Sequence, residues 1–408
     1  MMSSHDLTIE ELFSLPAGEV SLLDLRDTGS TAYGMLPKAR AMAGEELKAY
    51  LSSLPPAIKA VLYCTRGETS QEILPSLLPL HEETYSLTGG FMAYLSYLMD
   101  PGRADGEAAG WKVAGEGNKE TEESAEEETL CARAEKSIRK KFHKQLFTPF
   151  AKACRDYQLL SPGDKVAVCM SGGKDSMLMA KLFQELRRHD KFPFDLTFLV
   201  MDPGYSEVNR KLIEHNARVL EIPIQIFEST IFDAVYGIEK NPCYLCARMR
   251  RGHLYAKAKE LGCNKIALGH HYDDVIETIL MGMLYGGQVQ TMMPKLHSTN
   301  FPGMELIRPM YLIREEDIKH WRDYNHLTFL QCACHFTENC SSCAEDGQTS
   351  SKRLEIKNLI ASLKETNPSV EANIFRSMEN VNLSTCICYK KDGVRHSFLE
   401  DYDKPQPE

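Results

Sequence analysis

The feature that most limits what this chain can fold into is a short polar segment, Ser171-Gly172-Gly173-Lys174-Asp175-Ser176, flanked by DKVAVCM and MLMAKLFQELRRH. The first flank is an apolar run of strand length and the second has helical apolar spacing, so the unit reads as strand, loop, helix. In that setting paired glycines let the backbone approach an anion, and the start of the helix presents N–H groups with no partner of their own. Ser171 and Ser176 add hydroxyls and Lys174 a positive charge. Donors therefore converge on a phosphate-sized volume. A Walker A loop is a different object, since there Ser or Thr follows the Gly-Lys pair and here Asp175 does.

The alternation continues downstream. DLTFLVMD, IQIFE and NKIALG have strand character, while SEVNRKLIEHNARVL, CYLCARMRRGHLYAKAKELG and DDVIETILMGMLYG have helical spacing. Strands alternating with helices predict an α/β fold with a doubly wound parallel sheet, its ligand at the carboxyl ends of the strands. Upstream, EVSLLDLRD and KAVLYC read as strands and GEELKAYLSSL and QEILPSLLPL as helices, which predicts a second, smaller α/β domain. The intervening PGRADGEAAGWKVAGEGNKETEESAEEET is rich in Gly and Glu, lacks an apolar period and reads as a flexible linker. As a coil of about 30 residues it would reach roughly 30 Å. The expected organisation is a small domain over 8–100, an acidic linker over 101–130, the main domain over 131–390 and a tail over 391–408.

At 408 residues, 43% hydrophobic and 25% charged, the composition is that of a soluble globular protein with room for two cores. No run is long and apolar enough to span a bilayer, and MMSSHDLTIEELFSL lacks the layout of an export signal. The expectation is a cytoplasmic protein without a membrane partner. Its net charge of −10 is unevenly spread: 101–130 carries nine acids against three bases, and 131–160 eight bases against two acids. The second stretch reads as a basic helix, which is a solvated face unless other features point to RNA.

Thirteen cysteines in a reducing compartment argue for metal or thiol chemistry rather than structural disulfides. Cys154, Cys169 and Cys263 lie among apolar neighbours and read as core. Cys243 and Cys246 fall within one turn at the entry to a helix, and Cys332, Cys334, Cys340 and Cys343 form a second cluster. By themselves these patterns fit a zinc knuckle, a redox dithiol or an iron–sulfur site. Asp273 and Asp274 follow a strand, where carboxylates can hold Mg²⁺ or polarise a base, or can simply cap the helix they begin. Arg248 and Arg251 share a helix face and Arg250 lies beside the cysteines; all three suit phosphate or nucleobase contacts.

SGGKDS in this context resembles the PP-loop signature of the ATP pyrophosphatases, whose fold is of the adenine nucleotide alpha hydrolase (HUP) type. The resemblance implies cleavage of ATP between the α and β phosphates and adenylation of a carbonyl oxygen. It assigns Ser171, Gly172, Gly173, Lys174 and Ser176 to the pyrophosphate, Asp175 to Mg²⁺, and Gly269 and His270 to the nucleotide. Within that class, PCYLCARMRRG, LGHHYDDVIETILMGMLYGG, QTMMPKL and IRPMYLIREEDI look like the tRNA 2-thiocytidine synthetase group, from about 140 to 385.

That group implies a [4Fe-4S] cluster on three cysteines with the fourth iron open. Cys243 and Cys246 match its first pair; the better-known members have a simple CxxC where this chain has Cys332-Ala333-Cys334, Cys340 and Cys343. Cys334 is the expected third ligand. The remaining cysteines are left for a separate structural Zn²⁺.

LLDLRD, YGMLPKA, VLYCTRGETS and SLTGG resemble a rhodanese domain over 8–100. By that resemblance Cys64 is a catalytic sulfur carrier whose loop would stabilise a persulfide. The rival reading is a docking domain, because Glu68 and Thr69 bring no positive charge to the sulfur. Joined, the parts imply an ATP-dependent tRNA sulfurtransferase that adenylates the C2 carbonyl of a cytidine and replaces its oxygen by sulfur. Asp273, Asp274 and Arg250 would act at the base. The implied partners are tRNA and a cysteine desulfurase or other persulfide donor, with a homodimer left open. The alternatives are a 2-thiouridine synthase, an amidating ligase with structural zinc, and a sulfur relay without catalysis.

Overall fold

Five short strands near the start of the chain pair into one sheet: β1 (Asp6–Leu7), β2 (Val20–Asp24), β3 (Arg40–Ala41), β4 (Lys59–Tyr63) and β5 (Thr84–Leu87). Their order is β1-β5-β4-β2-β3 and every pairing is parallel. The computed structural model describes residues 5–31, 35–98, 129–229, 231, 242–329, 352–400 and 402. The acidic linker and the Cys332–Cys343 cluster thus lie outside the described residues. Ala60, Val61, Leu62 and Tyr63 of β4 are all buried, as expected of a central strand covered on both faces.

The second sheet contains β6 (Lys165–Met170), β7 (Asp195–Asp202), β8 (Ile224–Glu228), β9 (Lys265–Ala267), β10 (Lys295–His297) and β11 (Glu305–Ile307) in the order β10-β11-β9-β6-β7-β8. All pairings are parallel except that of β10 with β11. The chain runs outward from β6 through β7 to β8, then returns across β6 to β9. The order therefore reverses between β6 and β9, and the crevice at their carboxyl ends is where a doubly wound sheet binds ligand. Helices Lys174–Arg188, Glu207–Val219 and Pro242–Glu260 make the crossovers among β6, β7, β8 and β9. Ser206 caps the second by accepting the Asn209 N–H at 3.3 Å.

Buried side chains of both sheets join one apolar cluster that includes Leu12, Phe91, Phe150, Val168, Phe183 and Trp321. By contact, the chain divides into one unit of Met1–Tyr272 with Pro294–Thr349 and another of Asp273–Met293 with Ser350–Glu408. Both sheets belong to the first. The second holds nearly all of helix Tyr272–Gly286, helices Lys352–Thr366 and Val370–Ser377, and an antiparallel hairpin of β12 (Cys388–Lys391) and β13 (Val394–Ser397). The segment read as a tail thus supplies a paired strand.

The basic stretch is two helices rather than one. Helix Leu130–Arg139 gives way to a π-type turn, His143–Phe147, and a new helix, Thr148–Asp156. Pro149 explains the restart: it has no N–H to give to the preceding turn and its fixed φ suits a first helical turn. Several of the bases are engaged locally. Arg139 pairs with Glu135 at 2.8 Å, Arg155 with Asp156 at 2.8 Å, and Lys141 stands 3.8 Å over the Tyr324 ring.

Candidate nucleotide and sulfur-transfer site

The phosphate loop leaves β6 at its carboxyl end and enters helix Lys174–Arg188 through Gly173, which offers no side-chain cap. The first N–H groups of that helix therefore keep their capacity for an anion. Gly172 has a φ of 85°, which glycine adopts without steric cost. Ser176 Oγ donates to the Gly173 carbonyl at 2.9 Å and accepts the Ser171 N–H at 3.2 Å, so the loop is pre-shaped by its own hydroxyl. The loop after β9 meets it: a Cβ added to Gly269 would stand 3.5 Å from the Ser176 nitrogen. Sequence-separated Gly269 and Ser176 are thus neighbours, as expected at the switch point.

Lys174 is 2% exposed, a burial a lysine tolerates only with anionic partners. Its Nζ lies 3.2 Å from Asp175 and 3.3 Å from Glu315, at the start of helix Glu315–Tyr324. The hydrogen bond to Asp175 goes to Oδ2, while the buried Oδ1 faces the same ammonium at 3.2 Å without a hydrogen bond of its own. A carboxylate oriented by a buried lysine beside a phosphate cradle fits a Mg²⁺ ligand, since oxygen donors are what that ion takes. The IREEDI segment is held here by the Tyr272 N–H, which donates to the Ile313 carbonyl at 2.9 Å, and by Arg314 over the Tyr272 ring at 4.9 Å.

His270 is half-buried and His271 buried at the exit of β9. Asp273 and Asp274 begin the helix that follows, within the smaller unit. Asp274 is engaged by Arg353 at 2.5 Å, and the same guanidinium lies 3.3 Å from Glu277, which is buried. Nothing in the sequence marks Arg353, one of three arginines beyond Cys343.

Cys243 and Cys246 occupy the first turns of helix Pro242–Glu260. Between and after them, Leu245 and Met249 pack on Met201 of β7 and on Ile231. The turn carrying both cysteines is thereby anchored near the carboxyl end of β7; their side chains and Cys334 lie outside the described residues. Arg250 donates to the Tyr205 hydroxyl at 3.4 Å, while Arg248 is exposed. No group of three or more metal-binding side chains occurs among the described residues.

The scattered cysteines behave as core. Burial pushes the Cys154 and Cys169 thiols up to about 12 and raises that of Cys263. Cys131, which sequence reading left unassigned, is buried against Lys181, whose Nζ lies 3.4 Å from its sulfur and 2.7 Å from Glu135.

In the first sheet, Cys64 follows β4 and is 3% exposed. Its sulfur accepts the Gly67 N–H at 3.1 Å and lies 3.8 Å from Ser70 Oγ, which bonds Ser86 Oγ at 2.8 Å. Gly67 and Gly90 interlock beneath it, both at positive φ, and a Cβ on Gly90 would fall 2.3 Å from the Cys64 carbonyl oxygen. Thr65 and Arg66 are exposed at the loop surface.

Comparison with known proteins gives the family. The family described as "PP-loop domain" matches residues 138–334. The tRNA-cytidine(32) 2-sulfurtransferase of Coxiella burnetii is 35% identical over 250 residues, covering 60% of this chain and 93% of that protein. The chain belongs to that family. The Anaeromyxobacter dehalogenans member is 33% identical over 244 residues, 59% of this chain and 80% of its own. Among solved structures, the U34-tRNA thiolase NcsA of Methanococcus maripaludis with its [4Fe-4S] cluster aligns at a TM-score of 0.47 and 23% identity, covering 61% of this chain and 84% of that one. The family match falls on the second sheet and its crossovers, where the phosphate loop and the cysteine-bearing helix lie, and leaves the first sheet to be read by its own geometry.

Proposed function

We propose that this protein is an ATP-dependent tRNA sulfurtransferase that converts a tRNA cytidine to 2-thiocytidine. The observation that carries the proposal is the uncapped, hydroxyl-shaped phosphate loop at the β6/β9 crevice, in a chain of the tRNA-cytidine(32) 2-sulfurtransferase family. ATP is the activating substrate. Backbone N–H groups of Gly172 and Gly173, the hydroxyls of Ser171 and Ser176, and Lys174 would hold the β and γ phosphates. Asp175, its carboxylate oriented by Lys174 beside the loop, would hold Mg²⁺, which supplies charge neutralisation for the departing pyrophosphate. Gly269 and His270 would border the nucleotide.

The chemistry needs two displacements. The C2 oxygen of the base attacks the α phosphorus, and the bond to the bridging oxygen of pyrophosphate breaks. A sulfur nucleophile then adds at C2, and AMP leaves with the former carbonyl oxygen. Arg250 and the Asp273/Asp274 pair would orient and polarise the base during both steps. Cys243, Cys246 and Cys334 are the proposed ligands of a [4Fe-4S] cluster, which would supply sulfide at an iron the protein leaves open. The other cysteines of that segment remain for a structural Zn²⁺. Exposed Lys140 and Lys144, beside the break in the basic stretch, suit tRNA phosphates.

The first sheet is proposed to be a rhodanese-like domain, with Cys64 receiving sulfur as a persulfide from a cysteine desulfurase or another donor. Its support is the turn in which Gly67 donates to the sulfur and Ser70 stands behind it. Nucleoside mass spectrometry of tRNA from cells with and without this gene tests the function. Loss of 2-thiocytidine is expected on deletion; an unchanged thionucleoside profile in a strain with no second such gene would refute it.

A further inference from the structure

Glu315 comes from the IREEDI segment, which the mechanism above leaves without a role. Its carboxylate lies 3.3 Å from Lys174 Nζ and 3.2 Å from Lys319, and its side chain is 15% exposed. Lys174, 2% exposed, is thereby held between Asp175 on its own loop and Glu315 from a helix far along the chain. A carboxylate this close to a phosphate cradle repels the ligand the cradle is built for. Its attraction for the buried ammonium also competes with the phosphate oxygens that Lys174 would serve.

We infer that Glu315 is a positioning residue that holds Lys174 away from the phosphate in the nucleotide-free protein, so that polyphosphate must displace a carboxylate to recruit the lysine. The inference rests on the phosphate-loop reading and adds a cost to nucleotide entry and a gain to pyrophosphate exit. When pyrophosphate departs, Glu315 recaptures Lys174, and the loop does not need to release an uncompensated buried charge. Asp175 remains beside Lys174 in both states, through sequence adjacency alone. No proton or covalent bond changes hands; the exchange is of ion-pair partners.

The test is equilibrium binding of inorganic pyrophosphate and, separately, of adenosine to the full-length protein. Glu315→Gln should bind pyrophosphate about ten-fold tighter, the order expected when a buried ammonium no longer exchanges one ion-pair partner to serve the phosphate. Glu315→Asp should stay near the parent, and adenosine affinity should be the same in all. In turnover, Glu315→Gln should lower both KM for ATP and kcat, because pyrophosphate leaves more slowly. In a Lys174→Met background the Glu315→Gln gain should shrink to the part that direct repulsion contributes, whereas a purely long-range field effect would leave it whole. Glu315→Ala serves if the amide variant does not fold. Unchanged or weaker pyrophosphate binding in these variants, or an undiminished gain without Lys174, would overturn the inference. A parent protein that binds no pyrophosphate would instead sink the phosphate-loop reading itself, and this inference with it.

Discussion

Lys181 and Lys174 show how one residue type is put to two uses by its partners. Lys181, 1% exposed, is satisfied inside the fold by Glu135 at 2.7 Å and the Leu220 carbonyl at 2.9 Å. Burial pushes the Glu135 carboxyl up, but bonds from Lys181 and Arg188 outweigh it and leave it below the ordinary value of 4.5. A carboxylate depressed in the folded state adds stability that is complete above its unfolded pKa and is lost as pH falls through the folded one. Glu135→Gln should therefore destabilise the protein near neutrality by about 3 kcal/mol, because Lys181 stays buried without its charge partner. The deficit against the parent should shrink below about pH 4, as read by denaturant unfolding at several pH values. An equal deficit at pH 7 and pH 3 would contradict the pairing. Thiol reactivity gives a second check at this scale. Cys388 is exposed, whereas burial holds Cys154 and Cys169 near 12, so a maleimide should label Cys388 in the native protein and the other two only after unfolding.

At the scale of elements, strands buried on both faces were legible because they are unbroken apolar runs bounded by polar turns: DLTFLVMD spans the residues of β7. The shortest and most polar ones were not. Lys295–His297 and Val394–Ser397 are short, mostly polar and defined by their antiparallel partners. Nothing in three or four such residues distinguishes a strand from a loop. The same limit applied to the site. SGGKDS announced itself locally, while Glu315 and Arg353 take their meaning from the buried or half-buried groups they face, Lys174 and the Asp274/Glu277 pair. In the first sheet, the loop around Cys64 depends on an interlock that permits no Cβ. Gly90→Ala would place a carbon 2.3 Å from the Cys64 carbonyl oxygen at a φ of 55°. It should cost at least about 2 kcal/mol and raise the alkylation rate of Cys64 in the folded protein. Unaltered Cys64 reactivity together with unaltered stability would show that the interlock does not set the loop.

For the whole molecule, the account makes the front sheet a supplier and the second sheet the place of chemistry. The division is open to a direct assay with two sulfur sources. Cys64→Ala should lower tRNA thiolation by at least about ten-fold when a protein persulfide is the donor, since a tethered carrier works at roughly millimolar effective concentration. It should leave thiolation unchanged when inorganic sulfide is supplied in excess. Equal loss with both sources would place Cys64 in the fold's integrity rather than in sulfur delivery. No helix among the described residues is long and apolar enough to cross a membrane. The central claim is that the phosphate loop activates a tRNA base for sulfur. Its most direct measurement is pyrophosphate release and nucleoside mass spectrometry on the same anaerobic reaction of purified protein, ATP, unmodified tRNA and sulfide. The account expects tRNA-dependent pyrophosphate and 2-thiocytidine to appear in equal amounts, both abolished by Lys174→Met. Pyrophosphate released without any sulfur entering the tRNA would contradict it.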